Sequence, residues 1–206
     1  MSTRSPRGPY AKSAAKRKTI IDAALAAYAE AGTRAVSVRD IAERVGMTDA
    51  GVLHHFPNRE ALLTAVLEAR DAAAAETHGG NDAFWQPTML IENAGTPGLV
   101  KLFVDLAAAA AEPDHPAHDF FTERYRTLRR RIADAAATPP PDTGRAPSTA
   151  RDIDTDWAAR MLLAATDGLQ LQWLLEPSID MAADITRLRD VLLDALDRSA
   201  GDATGA

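Results

Sequence analysis

The chain contains no cysteine, which excludes a disulfide framework, a thiolate nucleophile and a thiolate metal site. It also lacks any apolar run approaching the roughly 20 residues needed to span a bilayer. The stretch from Val104 to Ala111 is alanine-rich and is cut off by Glu112 and Pro113. The N-terminal MSTRSPRGPYAKSAAKRK is basic, but no apolar core or small-residue cleavage site follows it, so no secretory signal is expected. Alternation of apolar and polar residues is missing and β-branched runs are short, which leaves an all-α fold. A Gly-rich phosphate loop, a G-x-S-x-G elbow and an H-E-x-x-H motif are absent as well. The expectation is a cytoplasmic protein with no membrane anchor, no cofactor and no metal.

What is present is a globular composition with an uneven charge. The 206 residues are 46% hydrophobic and 25% charged, enough for one sizeable domain or a small domain fused to a larger one. The net charge is −6, yet residues 1–60 hold ten Lys and Arg against six Asp and Glu, which is +4 and leaves −10 for the rest. Arg4, Arg7, Lys12, Lys16, Arg17 and Lys18 meet no acid within the first 18 residues. Such a segment suits an arm along a phosphate backbone, and a solvated tail has the same composition.

Helical spacing then sets out about nine helices. Ile20, Ile21, Ala24, Leu25 and Tyr28 give a first helix from about Ser13 to Ala31, with Gly32 as its C-terminal cap. Ser37 and Asp40 resemble a capping box that opens a short second helix carrying Val38, Ile41, Ala42 and Val45, ended by Gly46. Thr48 caps a third, with Val52, Leu53 and Phe56 on its apolar face and Pro57 as its stop. Asn58 caps a fourth that carries Leu62, Leu63, Val66 and Leu67 to about Glu76. Further helices are predicted over Pro87–Asn93, Pro97–Ala111, Pro116–Ala137, Ile153–Leu175 and Ala182–Ser199. The expected organisation is a basic disordered arm over 1–12, a helix-turn-helix domain over 13–58 and a larger helical domain over 59–199. That last domain includes a connecting helix over 59–76 and a proline-rich flexible loop over 138–150, and a disordered tail covers 200–206.

Two short helices around Gly46, braced by a longer one, have the proportions of a helix-turn-helix. The run RKTIIDAALAAYAEAGTRAVSVRDIAERVGMTDAGVLHHFPNREALLTAVLEARD strongly resembles the TetR family of transcriptional repressors. The likeness rests on Ala31-Gly32, Ser37-Val38, Asp40-Ile41-Ala42, Gly46, Thr48, His55-Phe56, Asn58-Arg59-Glu60 and Leu62-Leu63. It implies a third helix in the major groove and phosphate-gripping caps on the second and fourth helices. The residue chemistry agrees, since Ser37 and Thr48 offer hydroxyls at helix N-termini and Arg39, Arg59 and Lys16 add cations. Arg39 reaches either a phosphate or a guanine edge. Thr48, Asp49, Ala50, Gly51 and His54 are the groove-facing candidates, His54 for a phosphate or a base, and Asn58 completes the set. Asp49 suits a cytosine amino group or a solvent-facing cap equally. Many relatives have Tyr where this chain has Leu53, so one phosphate contact is lost, and Leu-His-His-Phe resembles an actinobacterial-like variant. His55 beside Phe56 is expected to pack and hydrogen-bond inside the three-helix unit.

A helix-turn-helix usually works in pairs on a palindromic double-stranded site, so a homodimer is expected. The last two helices carry more apolar surface than one hairpin hides, so Met161, Leu162, Leu169, Trp173, Leu188, Leu192 and Leu196, with Gly168 small enough for close helix approach, are the interface candidates. Ordinary intramolecular core is the alternative, and TDGLQLQWLLEP resembles the family's dimerisation helix. Phe84, Trp85, Met89, Phe103, Phe120, Phe121, Tyr125 and Trp157 are candidates to line a chamber for a small apolar effector, and core packing is the alternative for each. Two rival functions compete. One is a metal-dependent enzyme using His115 and His118, against which those residues read as a helix start capped by Asp114 or His115. The other is a helical adaptor, which leaves the N-terminal motif without a use.

Overall fold

The computed structural model describes residues 9–78, 88–137 and 152–203, and among them it is all-α with nine helices. They are α1 (Pro9–Glu30), α2 (Val38–Arg44), α3 (Asp49–Leu53), α4 (Arg59–His78), α5 (Thr88–Ala94), α6 (Pro97–Ala109), α7 (His118–Ala137), α8 (Asp152–Leu175) and α9 (Met181–Ala203). The expected boundaries fall close to these, with three instructive differences. The first helix starts at Pro9, not Ser13, because proline at the first position sets φ for the helix and needs no donor there; residues 9–12 are therefore helical. Pro116 sits in the turn before α7 instead of opening it. The last helix continues through Gly201 to Ala203, past the expected start of the tail. The expected loop over 138–150 lies outside the described residues.

The chain divides into two compact units. The first holds the described residues up to Ala73 together with Thr96–His118. Its core follows from helical spacing: Ile20, Ala24, Ala27 and Tyr28 of α1, Ile41 and Ala42 of α2, Val52 and Phe56 around α3, and Leu62, Leu63, Val66 and Leu67 of α4 are all buried. Each large side chain among them contributes about 1.5–3 kcal/mol by leaving water. Leu99, Val100, Leu102, Phe103 and Leu106 of α6 are buried too. At Gly98 a Cβ would lie 2.2 Å from the Tyr28 carbonyl oxygen and 2.6 Å from that of Gly32, so the backbone of α6 rests directly on the end of α1. The α4 guanidinium of Arg70 donates to the Leu99 carbonyl at 3.3 Å, a second tie to α6.

The second unit holds Ala74–Gly95 and the described residues from Asp119 onward. Leu90 of α5, Ala158 and Leu162 of α8, and Ile185, Leu192 and Leu196 of α9 form its buried cluster. Ile132, Ala165, Leu169, Ala182 and Leu188 pack against that cluster. The turn between α8 and α9 closes with the Ile179 amide on the Glu176 carbonyl at 3.1 Å, and Asp180 caps α9 by accepting from the Ala183 amide at 3.0 Å. No helix among the described residues is long and apolar enough to cross a membrane.

Because two backbone carbonyls close the space at Gly98, even one methyl group must push α6 off α1. Gly98→Ala is expected to destabilise the protein by on the order of 3 kcal/mol and to lower the melting temperature by roughly 6–12 °C in a thermal melt.

Candidate nucleic-acid interface

The second helix starts where the sequence says it should. Ser37 Oγ accepts from the Asp40 amide at 3.1 Å, and the Asp40 carboxylate accepts from the Ser37 backbone N–H at 2.8 Å, completing the capping box. That backbone donor, and then the Ser37 hydroxyl at 2.9 Å, hold the Asp40 carboxyl below its ordinary range. Gly46 takes φ +63° in the turn, where the Met47 amide reaches back to the Ala42 carbonyl at 2.9 Å. Thr48 Oγ1 then accepts from the Gly51 amide at 3.1 Å and caps α3. A Cβ on Gly51 would meet that same Oγ1 at 3.2 Å and the Met47 methyl at 3.3 Å, so the first turn of α3 has no slack. Asn58 caps α4 by accepting from the Ala61 amide at 2.8 Å.

The expected contact residues stand as follows. Ser37, Arg39, Thr48, Asp49, Ala50, His54, Asn58 and Arg59 are exposed, while Lys16 and Gly51 are half-buried. Val52 and Phe56 are buried, so α3 has its apolar side in the core and its polar side in solvent. Arg39 donates to Glu43 at 2.9 Å, which raises its already high pKa; both partners are exposed, and such a pair costs little to exchange for a nucleic-acid contact. Other basic residues of this unit are tied within it. Arg44 reaches Glu30 at 2.6 Å and Lys18 reaches Asp22 at 2.8 Å.

The basic segment is thus not a uniform arm. Residues 1–8, with Arg4 and Arg7, lie outside the described residues. Arg17 turns inward, donating to the His55 carbonyl at 2.8 Å with its guanidinium 4.1 Å from the centre of the Phe56 ring. Sequence reading missed this, because nothing local links an arginine on α1 to an aromatic ring 39 positions later. The half-buried His55 ring lies edge-on to His54 with centroids 5.8 Å apart, and His55 accepts a hydrogen bond through its carbonyl.

In the second unit the expected dimer residues prove mostly internal. Leu162, Trp173, Leu192 and Leu196 are buried in the chain's own core, and Leu169 and Leu188 pack against it. The reason is geometric: α8 and α9 pack along each other, and Leu162, Leu169, Leu188, Leu192 and Leu196 share one cluster there. Of the eight, Met161 is the large side chain left exposed, and Gly168 faces open space with no atom within 4 Å of a Cβ placed there. Trp157, expected in a chamber, is 48% exposed on α8, and Leu171 and Leu175 on the same helix are 48% and 81% exposed.

Of the other chamber candidates, Phe84 and Trp85 lie outside the described residues. Phe103 is buried in the core of the first unit, and Met89 is exposed on α5. On α7, Phe120 meets Phe121 edge-on at 5.1 Å, Phe121 lies 6.1 Å from Tyr125, and the Tyr125 hydroxyl donates to Asp167 at 2.7 Å. An open groove of about 650 Å³ lies elsewhere in this unit, lined by residues including Ile91, Thr186, Asp190 and Val191, and none of the described chamber candidates is among its lining residues.

The histidine pair is committed to backbone. His115 Nδ1 accepts from the Ala117 amide at 3.2 Å, and His118 Nδ1 lies 2.9 Å from the Ala110 carbonyl oxygen, to which it donates. Among the described residues no group of three or more His, Asp or Glu is placed to hold a metal.

Comparison with known proteins agrees with this geometry. Residues 20–66 match the model of bacterial regulatory proteins of the TetR family, and residues 88–201, more than half of the chain, match the C-terminal domain of BetI-type transcriptional repressors. The chain belongs to the TetR family. It is a DNA-binding transcriptional regulator of the repressor type, and regulators of this family act as dimers. It is similar to the repressor KstR2 of Rhodococcus jostii, 36% identical over 52 residues, which are 25% of this chain and 26% of that relative. A longer match is the regulator TtgR of Pseudomonas putida, 28% identical over 201 residues, covering 87% of this chain and 90% of TtgR. The crystal structure of a TetR regulator from Haloarcula marismortui shares the fold at a TM-score of 0.66 and 18% identity, covering 89% of this chain and 98% of that one.

One prediction comes from the Tyr125–Asp167 pair. Burial pushes the Asp167 carboxyl above its ordinary range despite the hydrogen bond from Tyr125, so the folded state favours its protonated form. Stability is then lost as pH rises through the carboxylate range. Asp167→Asn should raise the melting temperature at pH 7, with the gap closing below about pH 4, where the aspartate is protonated folded and unfolded alike.

Proposed function

We propose that this regulator is a cytoplasmic repressor that binds a palindromic operator as a homodimer and is released by a small apolar effector. The observation that carries the reading is the two-sidedness of α3. Val52 and Phe56 bury its inner side, and Thr48, Asp49, Ala50 and His54 remain exposed on a helix short and lean enough to enter the major groove. Thr48, Asp49, Ala50, Gly51 and His54 then face base edges. Ser37 and Asn58 present helix N-termini to phosphates, and Arg39, Arg59 and Lys16 add cationic contacts. Leu53 supplies no hydroxyl to the backbone.

Pairing two such helices about 34–36 Å apart requires a dimer surface, and α8 offers one. Trp157, Met161, Ala164, Gly168, Leu171 and Leu175 recur at alternating spacings of four and three, the period of a two-helix seam, and all but the half-exposed Gly168 are exposed in the single chain. The small pair Ala164 and Gly168 at its centre lets a partner helix approach closely. An effector held in the second unit would act by preferring the arrangement of heads that does not fit DNA, a population shift with no chemistry.

Two measurements test this. Arg39→Ala and His54→Ala are each expected to weaken binding by about 1–3 kcal/mol in a gel shift at fixed salt, without lowering the melting temperature. For Arg39, a uniform loss across sequences identifies a phosphate contact and a loss confined to one position identifies a guanine contact. The double change Leu171→Glu with Leu175→Glu should give a folded monomer by light scattering at micromolar concentration; a persisting dimer would place the interface elsewhere.

A further inference from the structure

Among the described residues of the N-terminal segment, Arg17 turns toward the protein, and its two contacts converge on one place. Its guanidinium donates to the His55 carbonyl at 2.8 Å and lies 4.1 Å from the centre of the Phe56 ring, across 38 residues of sequence. That place is where α3 has least support of its own. The helix is five residues long; its N-terminal end is fixed by the Thr48 cap, whereas beyond His54 the chain runs through His55 and Phe56 to Pro57, which has no amide hydrogen to donate. The backbone there is held by the His55 amide on Val52 at 3.0 Å and the Phe56 amide on Leu53 at 3.3 Å. Phe56 is buried, so a planar cation against its face ties the end of α3 to the long, rigid α1.

We propose that Arg17 is a positioning residue for DNA reading, which sets the C-terminal end of α3 and with it the exposed ring of His54, and that it does not serve as a phosphate contact. The inference rests on the reading of α3 as the base-reading helix. It follows that the two ends of α3 depend on different residues. Contacts from Thr48, Asp49 and Ala50 rely on the local cap, and those from His54 rely on α1. Lysine cannot replace Arg17, because it keeps the charge but loses the flat face that covers Phe56.

The test uses the full-length dimer and two DNA probes: a duplex that the wild-type protein selects from a random-sequence pool, and a scrambled duplex of the same composition. Wild type, Arg17→Ala, Arg17→Lys and His54→Ala are titrated on both over a range of salt. The expected result is that both Arg17 variants lose roughly ten-fold or more on the selected duplex, at the base positions where His54→Ala also loses discrimination. Affinity for the scrambled duplex and the slope of log K against log salt stay at their wild-type values. Recovery of selected binding by Arg17→Lys, or an Arg17→Ala slope shallower by about 0.9, identifies a phosphate contact and overturns the proposal. So does wild-type discrimination in both variants. If Arg17→Ala fails to fold, Arg17→Lys decides alone. If His54→Ala changes neither affinity, the reading of α3 is itself wrong at that end and the proposal falls with it. If His54→Ala loses discrimination and the Arg17 variants do not, only the proposal falls.

Discussion

A helix of five residues does not hold itself together in water, because nucleating the first turn costs more than its few hydrogen bonds return. Everything that α3 does therefore depends on how the rest of the first unit grips it. Val52 and Phe56 anchor it in a core built by α1, α2 and α4, Thr48 closes its first turn, and Arg17 closes its last. Chain that would be disordered alone becomes a rigid helix because its apolar side is inside and its orphan polar groups have partners. The same division leaves its outer side small and polar.

The two units meet this need for burial in different ways. In the first, short helices are locked by caps and by close backbone approach, and shape is specified to within a methyl group. In the second, long helices pack along each other through leucine and alanine side chains, and α8 buries one side while leaving a second apolar stripe in solvent. Contiguous apolar surface exposed to water is the usual mark of an interaction surface.

Much of this is legible in the sequence alone. Ser37 with Asp40, Thr48 and Asn58 are local signals, each satisfied within three or four residues, and the structure shows all three caps. Helix existence was legible for the same reason, since a period of 3.6 is a local property. What sequence could not supply is which apolar side of a helix meets its own chain. Leu162, Leu192 and Leu196 look as suitable for a partner as Trp157 or Leu175, and only the packing of α8 against α9 separates them. Arg17 was hidden for a related reason, because a basic residue in a basic run reads as a phosphate contact until an aromatic face 39 positions later is brought beneath it. An aromatic chamber is not legible from sequence, since large side chains mark cores and cavities alike.

The contact at Gly98 also bears on how relatives of this protein can be recombined. A boundary drawn after the helix-turn-helix, near residue 58, takes α1 from one parent and α6 from another, and asks two unrelated surfaces to meet where no side chain fits. The compact unit that holds the helix-turn-helix is discontinuous in sequence, comprising the described residues up to Ala73 and the segment Thr96–His118. A hybrid regulator that grafts new DNA specificity onto a foreign sensor would have to carry both pieces, or restore by selection the fit between one glycine and two carbonyl oxygens.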